Sequence, residues 1–189
     1  MAKPGVFCIE GNWIVERLQE QATVRPILEL LGDDGYKFVH REVGTKADLE
    51  YYLSQWRLKK YKNFPVLHLA FHGEPGTIEI GKQVVDIDEI SAALAGACAG
   101  RVIIFGTCAT VDVSTKRLRK FLKETGAIAI CGYKGYVNWI QSTAFELALI
   151  HTFLRRKCTR VTVRSMAAEA RKVSRPFKLG FRCITKYDP

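Results

Sequence analysis

No CxxC pair, no tight group of cysteine with histidine and no glycine-rich phosphate loop occurs in this chain of 189 residues. The six cysteines, Cys8, Cys98, Cys108, Cys131, Cys158 and Cys183, are scattered along it, which argues against a zinc site and against the disulfide framework of a small secreted domain. Neither a metal nor any other cofactor is expected. No apolar run approaches the roughly 20 residues of a membrane span. The start, Met1-Ala2-Lys3-Pro4, leads at once toward a short strand, without the apolar stretch and cleavage signal of a targeting peptide. These absences set the expectation of a cytoplasmic protein in a reducing compartment, with no membrane partner.

Acidic residues are also short: 19 Asp and Glu face 29 Lys and Arg, for a formal net charge of +10. The excess sits in three clusters, around Arg57 to Lys62, Lys116 to Lys123 and Arg155 to Arg160, on or beside expected helices. Solvated helix faces account for such clusters, and so does a surface that attracts an acidic partner. Nucleic acid is disfavoured as a direct ligand, because no zinc finger, RRM aromatic motif or phosphate loop accompanies the charge.

What the chain does have is alternation of strand and helix signals. At 48% hydrophobic and 25% charged, it suits one well-buried α/β domain over residues 1–189 and is short for two. Strands are expected over residues 6–10, 36–43, 66–71, 101–105, 127–132 and 177–184, with a hairpin over 77–85. Helices are expected from about Val15 or Thr23 to Leu31, then over 46–60, 86–97, 114–125, 139–156 and 166–173, with a short segment at 159–163. Strands alternating with helices imply right-handed βαβ crossovers and a three-layer sandwich around a mostly parallel sheet.

Two apolar runs stop abruptly on reactive side chains. Val66-Leu67-His68-Leu69-Ala70-Phe71 ends at His72-Gly73, and Arg101-Val102-Ile103-Ile104-Phe105 ends at Gly106-Thr107-Cys108-Ala109. Both runs read as strands buried on two faces, and ligands of open α/β sheets gather at the carboxyl ends of such strands. Neighbouring strands lie about 4.8 Å apart, so an imidazole and a thiol at matched ends can meet. That pair is the minimum equipment of a cysteine hydrolase. His68 lies four residues earlier, about 13 Å back along the strand, and reads as a buried, hydrogen-bonded core residue. His40 and His151 lack a cysteine context, and Cys8 and Cys131 read as core thiols.

The order of these motifs resembles the caspase-like cysteine peptidases, in which a His-Gly motif follows one central strand and the nucleophilic cysteine follows the next. Within that group the chain is most similar to the CHAT-type peptidases, through Leu67-His68-Leu69-Ala70-Phe71-His72-Gly73 and Ile103-Ile104-Phe105-Gly106-Thr107-Cys108-Ala109-Thr110. The likeness continues through Ile128 to Tyr133, Val137-Asn138-Trp139 and Met166 to Ala170. It implies a His72–Cys108 dyad that hydrolyses peptide bonds in a partner protein, with the backbone N–H groups of Gly73 and Cys108 as the oxyanion hole. The substrate pocket is then expected around Glu10, Asn12, Gly106, Asp112, Tyr136, Asn138 and Trp139. None of these is an arginine, which disfavours cleavage after Asp. Glu10 or Asp112 offers a partner for a basic side chain, or Glu10 makes an internal salt bridge; Asn138-Trp139 stands where CHAT-type enzymes of basic preference carry an acidic residue, so an uncharged residue before the cut stays open. The resemblance further implies a separate activator or sensor protein, loops 111–114 and 134–139 as candidate switches, and a bacterial defence or regulated cell-death setting. Two other readings stay open: an inactive caspase-like scaffold that binds an acidic partner through basic helices, and a small nucleotide-binding domain using the turns at Gly73 to Gly76 and Gly106.

Overall fold

The computed structural model describes residues 3–13 and 22–188. In chain order the elements begin with β1 (Gly5–Gly11), α1 (Arg25–Asp33), β2 (Lys37–Val43), α2 (Lys46–Trp56) and β3 (Val66–Ala70). Three short strands follow, β4 (His72–Glu74), β5 (Thr77–Ile80) and β6 (Gln83–Asp86), and then α3 (Ile87–Ala93) and β7 (Val102–Gly106). The remainder is α4 (Thr115–Thr125), β8 (Ala129–Tyr133), α5 (Trp139–Leu154), α6 (Arg160–Ser174) and β9 (Phe181–Thr185). The alternative helix start at Val15 lies outside the described residues.

The main sheet has six strands in the order β2-β1-β3-β7-β8-β9. Five run parallel, and β9 closes the edge antiparallel to β8. Because side chains alternate across a strand, each central strand feeds two cores. Val6 and Cys8 of β1, and Val102 and Ile104 of β7, face a layer built from α1, α5 and α6. Phe7 and Ile9, and Ile103 and Phe105, face a layer built from α2, α3 and α4. Burial on both faces explains why these strands read as unbroken apolar runs, and it makes the expected three-layer α/β sandwich with a mostly parallel sheet the architecture of the chain. No helix among the described residues is long and apolar enough to cross a membrane.

Several element boundaries differ from expectation. The turn expected over Gly73 to Gly76 is confined to Pro75-Gly76, and His72–Glu74 is a strand: the chain leaves the main sheet after Ala70, and β4 pairs antiparallel with β5 in a second, three-stranded sheet. Helix α2 stops at Trp56 instead of Lys60, because that fully buried indole is fixed by its Nε1–H to the carbonyl of Phe64, 3.0 Å away. Helix α3 ends at Ala93, since the N–H groups of Gly96 and Cys98 go to the carbonyls of Glu124 and Thr125 at the end of α4. The separate pieces expected at 159–163 and 166–173 are one helix, α6. Its β-branched start is a poor helix former, but Thr159 and Thr162 form a reciprocal cap, and Val163, Met166, Ala167 and Ala170 are buried.

Candidate active site

Strands β3 and β7 are hydrogen-bonded neighbours, with Ala70 opposite Gly106. His72 and Cys108 each lie two residues beyond that pair, at the carboxyl rim. The turn that carries Cys108 is tightly held. Ala109 adopts a left-handed backbone with φ of 52°, a conformation costing an alanine roughly 1–2 kcal/mol. Its N–H donates to the Gly135 carbonyl at 3.1 Å, and its own carbonyl accepts from the Asp112 N–H at 2.7 Å. The Thr107 hydroxyl donates to Thr110 Oγ1 at 2.6 Å, and Thr110 donates in turn to the Thr77 carbonyl of β5 at 2.7 Å. Gly73 presses on the same turn. A Cβ there would lie 2.4 Å from Thr110 Oγ1 and 2.9 Å from the Cys108 carbonyl oxygen, so only glycine permits this approach.

The imidazole is aimed by Trp13, just past the end of β1. His72 Nε2 lies 2.8 Å from the Trp13 carbonyl oxygen. A carbonyl only accepts, so Nε2 carries the hydrogen and Nδ1 is left for proton chemistry. The Trp13 indole stands edge-on to the His72 ring at 5.2 Å and to Trp139 at 4.7 Å.

Glu10 supports this arrangement from below. Its two oxygens accept from Trp13 Nε1 at 2.6 Å, Val24 N at 2.8 Å, Thr23 Oγ1 at 2.7 Å and His40 Nε2 at 2.6 Å. Burial pushes the Glu10 carboxyl up, but these four hydrogen bonds outweigh it and leave the group below the ordinary glutamate range. The expectation of a substrate-facing Glu10 is therefore corrected. Every lone-pair direction is spent inside the protein, and the residue positions Trp13, which holds His72.

Cys108 and His72 share the wall of a cavity of about 160 Å³, with Trp13, Val24, Phe71, Val137 and Trp139 as its apolar sides. Of the expected pocket residues, Gly106 and Trp139 line it, whereas Glu10, Asn12, Asp112, Tyr136 and Asn138 do not. Asn12 and Asp112 are exposed outside the cavity. Asn138 instead caps α5, accepting from the Gln141 N–H at 3.2 Å. Tyr136 reaches sideways, its hydroxyl donating to Glu74 Oε1 at 2.8 Å.

The acidic group in the cavity wall is one the sequence reading passed over, Glu146 of α5. Its carboxylate accepts from the Tyr133 hydroxyl at 3.0 Å and meets His68 Nε2 at 3.0 Å, while His68 Nδ1 lies 3.5 Å from the Cys8 sulfur. This buried chain runs directly under Gly106, where a Cβ would fall 2.5 Å from His68 Nε2 and 3.0 Å from a Glu146 oxygen. The available signal was a lone carboxylate in the otherwise apolar run Ala144 to Ile150, since unpaired acids are seldom buried in such a face. Trp13 gave no comparable signal.

The thiols divide sharply. Burial pushes Cys98 up to about 12 and Cys158 to about 11, and it raises Cys8 and Cys131 as well. Cys183 is buried, and Cys108 alone of the six is partly exposed. Beside it His72 is exposed to solvent. Among the described residues no group of three or more His, Cys, Asp or Glu side chains is arranged to hold a metal ion.

Fold and strand-end geometry together define a three-layer α/β protein with a thiol and an imidazole at adjoining strand ends. Among solved structures the chain is similar to the crystal structure of caspase-1 from Spodoptera frugiperda. The TM-score is 0.60 at 14% identity, over 98% of this chain and 87% of that one. At such identity the likeness speaks for the fold. A search of curated proteins finds none that matches. By sequence the chain belongs to the Family of unknown function (DUF6642), whose profile matches residues 3–183.

Proposed function

We propose that the protein is a cysteine endopeptidase of the CHAT type, hydrolysing peptide bonds in a partner protein, in a bacterial defence or regulated cell-death pathway. One observation carries the catalytic part: the sole partly exposed thiol and a carbonyl-oriented imidazole wall the same cavity. His72 Nδ1 accepts the Cys108 proton, and the thiolate adds to the scissile carbonyl. The imidazolium then protonates the departing amine as the C–N bond breaks, leaving an acyl-enzyme thioester. Water, deprotonated by His72, cleaves the thioester and restores the thiol. The backbone N–H groups of Gly73 and Cys108, on segments in contact, serve the oxyanion. Loss of one such donor typically costs about a hundredfold in rate.

The rival reading, an inactive scaffold binding an acidic partner, rests on the cationic surface of α4. Part of that charge is already answered internally: Arg117 pairs with Asp86 and Asp88, and Lys120 with Asp88 and Glu124. Incubation with a library of thiol-reactive peptide ketones, followed by mass-spectrometric mapping, separates the two. The endopeptidase reading expects label on Cys108 alone and its loss in a folded His72→Ala variant. Label spread over several cysteines, or on none, favours the scaffold.

A further inference from the structure

We propose that the cavity beside Cys108 selects a basic side chain, lysine or arginine, as the residue preceding the cut, with Glu146 as its recognition group. The inference rests on the endopeptidase reading and deepens it. A cavity whose wall carries the nucleophile is the one that receives the side chain next to the attacked carbonyl.

Its composition is that of a cation site. Trp13, Trp139, Val24, Val137 and Phe71 supply aromatic and aliphatic walls, and the acidic liner is Glu146. Such walls suit the methylene stem of a long basic side chain, and indole faces attract its charged head. The carboxylate is held by Tyr133 and His68, each at 3.0 Å, so two of its roughly four acceptor directions remain. Both its oxygens lie near Gly106, within 3.0 and 3.1 Å of where a Cβ would stand. Gly106, two residues before Cys108, lines the cavity with Glu146, and any side chain there would crowd the carboxylate.

The chain of hydrogen bonds also holds the carboxylate in place. The Cys8 thiol, raised by burial and by the nearby Glu10 and Glu146 carboxylates, keeps its proton and donates to His68 Nδ1. His68 then donates from Nε2 to Glu146. Both ring nitrogens of His68 and both oxygens of Glu146 thus have partners inside the protein. An incoming ammonium or guanidinium completes that site with a charge-assisted bond, whereas an acidic side chain meets repulsion.

The test compares peptide acyloxymethyl ketones that differ only in the last residue: arginine, lysine, citrulline, leucine and aspartate. Citrulline keeps the size of arginine and removes its charge. Arginyl and lysyl probes are expected to label Cys108 about tenfold or more faster than the citrullyl probe, and Glu146→Gln is expected to bring that ratio toward one. Equal or faster labelling by citrulline, leucine or aspartate overturns the basic preference and leaves the endopeptidase standing. Failure of every probe to label Cys108 removes both. Since Glu146→Gln risks misfolding, agmatine binding to a Cys108→Ala variant gives a second readout that needs no chemistry. A melting-temperature rise with agmatine, but not with uncharged pentylurea, is expected, and no rise counts against the proposal.

Discussion

Glu10 is spent inside the protein where a pocket residue is expected, whereas Glu146, in the middle of a helix, lines the cavity. Glu10 sits at the end of the first strand, where a pocket residue is expected, yet four donors converge on it from Trp13, Thr23, Val24 and His40. Those donors belong to separate segments, so no local pattern announces them. The linkage follows from the sign of the shift. A carboxyl held below the ordinary value of 4.5 contributes its full stability above that value and loses it as pH falls through the depressed one. We expect Glu10→Gln to cost about 3 kcal/mol near neutral pH, because buried donors lose their acceptor. The gap in melting temperature between wild type and variant should narrow as pH falls below that ordinary value, and a gap independent of pH would contradict the assignment. Gly73→Ala tests the other close approach. With Thr110 Oγ1 2.4 Å from the new methyl, a loss of about 1–3 kcal/mol is expected, together with slower labelling of Cys108.

At the scale of elements, the strands were legible because both their faces are buried, and the helices because caps such as Ser114 before α4 and Thr45 before α2 stand where the apolar periodicity begins. The pairing of His72 to Glu74 with β5 was not, since three residues carry no period and His-Gly reads as a turn. The Cys108 turn was legible only as small residues after an apolar run; the left-handed Ala109 and the Thr107–Thr110–Thr77 chain that fix it are tertiary facts. Asn138 illustrates the same limit. Expected in the pocket, it caps α5, and Trp139 in the first turn of that helix lines the cavity instead. Asn138→Ala should cost about 1 kcal/mol, seen as a drop of roughly 2–4 °C in melting temperature for a domain of this size. Cys108 labelling should slow as well, through a loosened Trp139. An unchanged melting temperature would show that the cap contributes nothing.

Across the whole molecule, the last strand reaches back to the Cys108 turn. β9 is the antiparallel edge of the sheet, and from it Arg182 sends its guanidinium over the rim to the Val111 carbonyl at 2.9 Å, the Val113 carbonyl at 2.6 Å and Thr115 Oγ1 at 2.7 Å. Those acceptors belong to loop 111–114, which leaves the Cys108 turn, and to the first residue of α4. The end of the chain thus clamps a segment that the sequence marks as a candidate switch. Arg182→Ala should release it, leaving carbonyls to find water at a cost of about 1–2 kcal/mol. Small displacements of a reacting group are expensive in rate, so labelling of Cys108 should slow about tenfold while the fold persists. Lysine at this position should not restore the rate, because a single ammonium cannot span three acceptors as the planar fork does. Removing an equal charge from the exposed surface by Lys172→Ala is the control. If both alanine variants slow labelling alike, the effect is one of net charge, and the clamp is not what keeps the Cys108 turn in place.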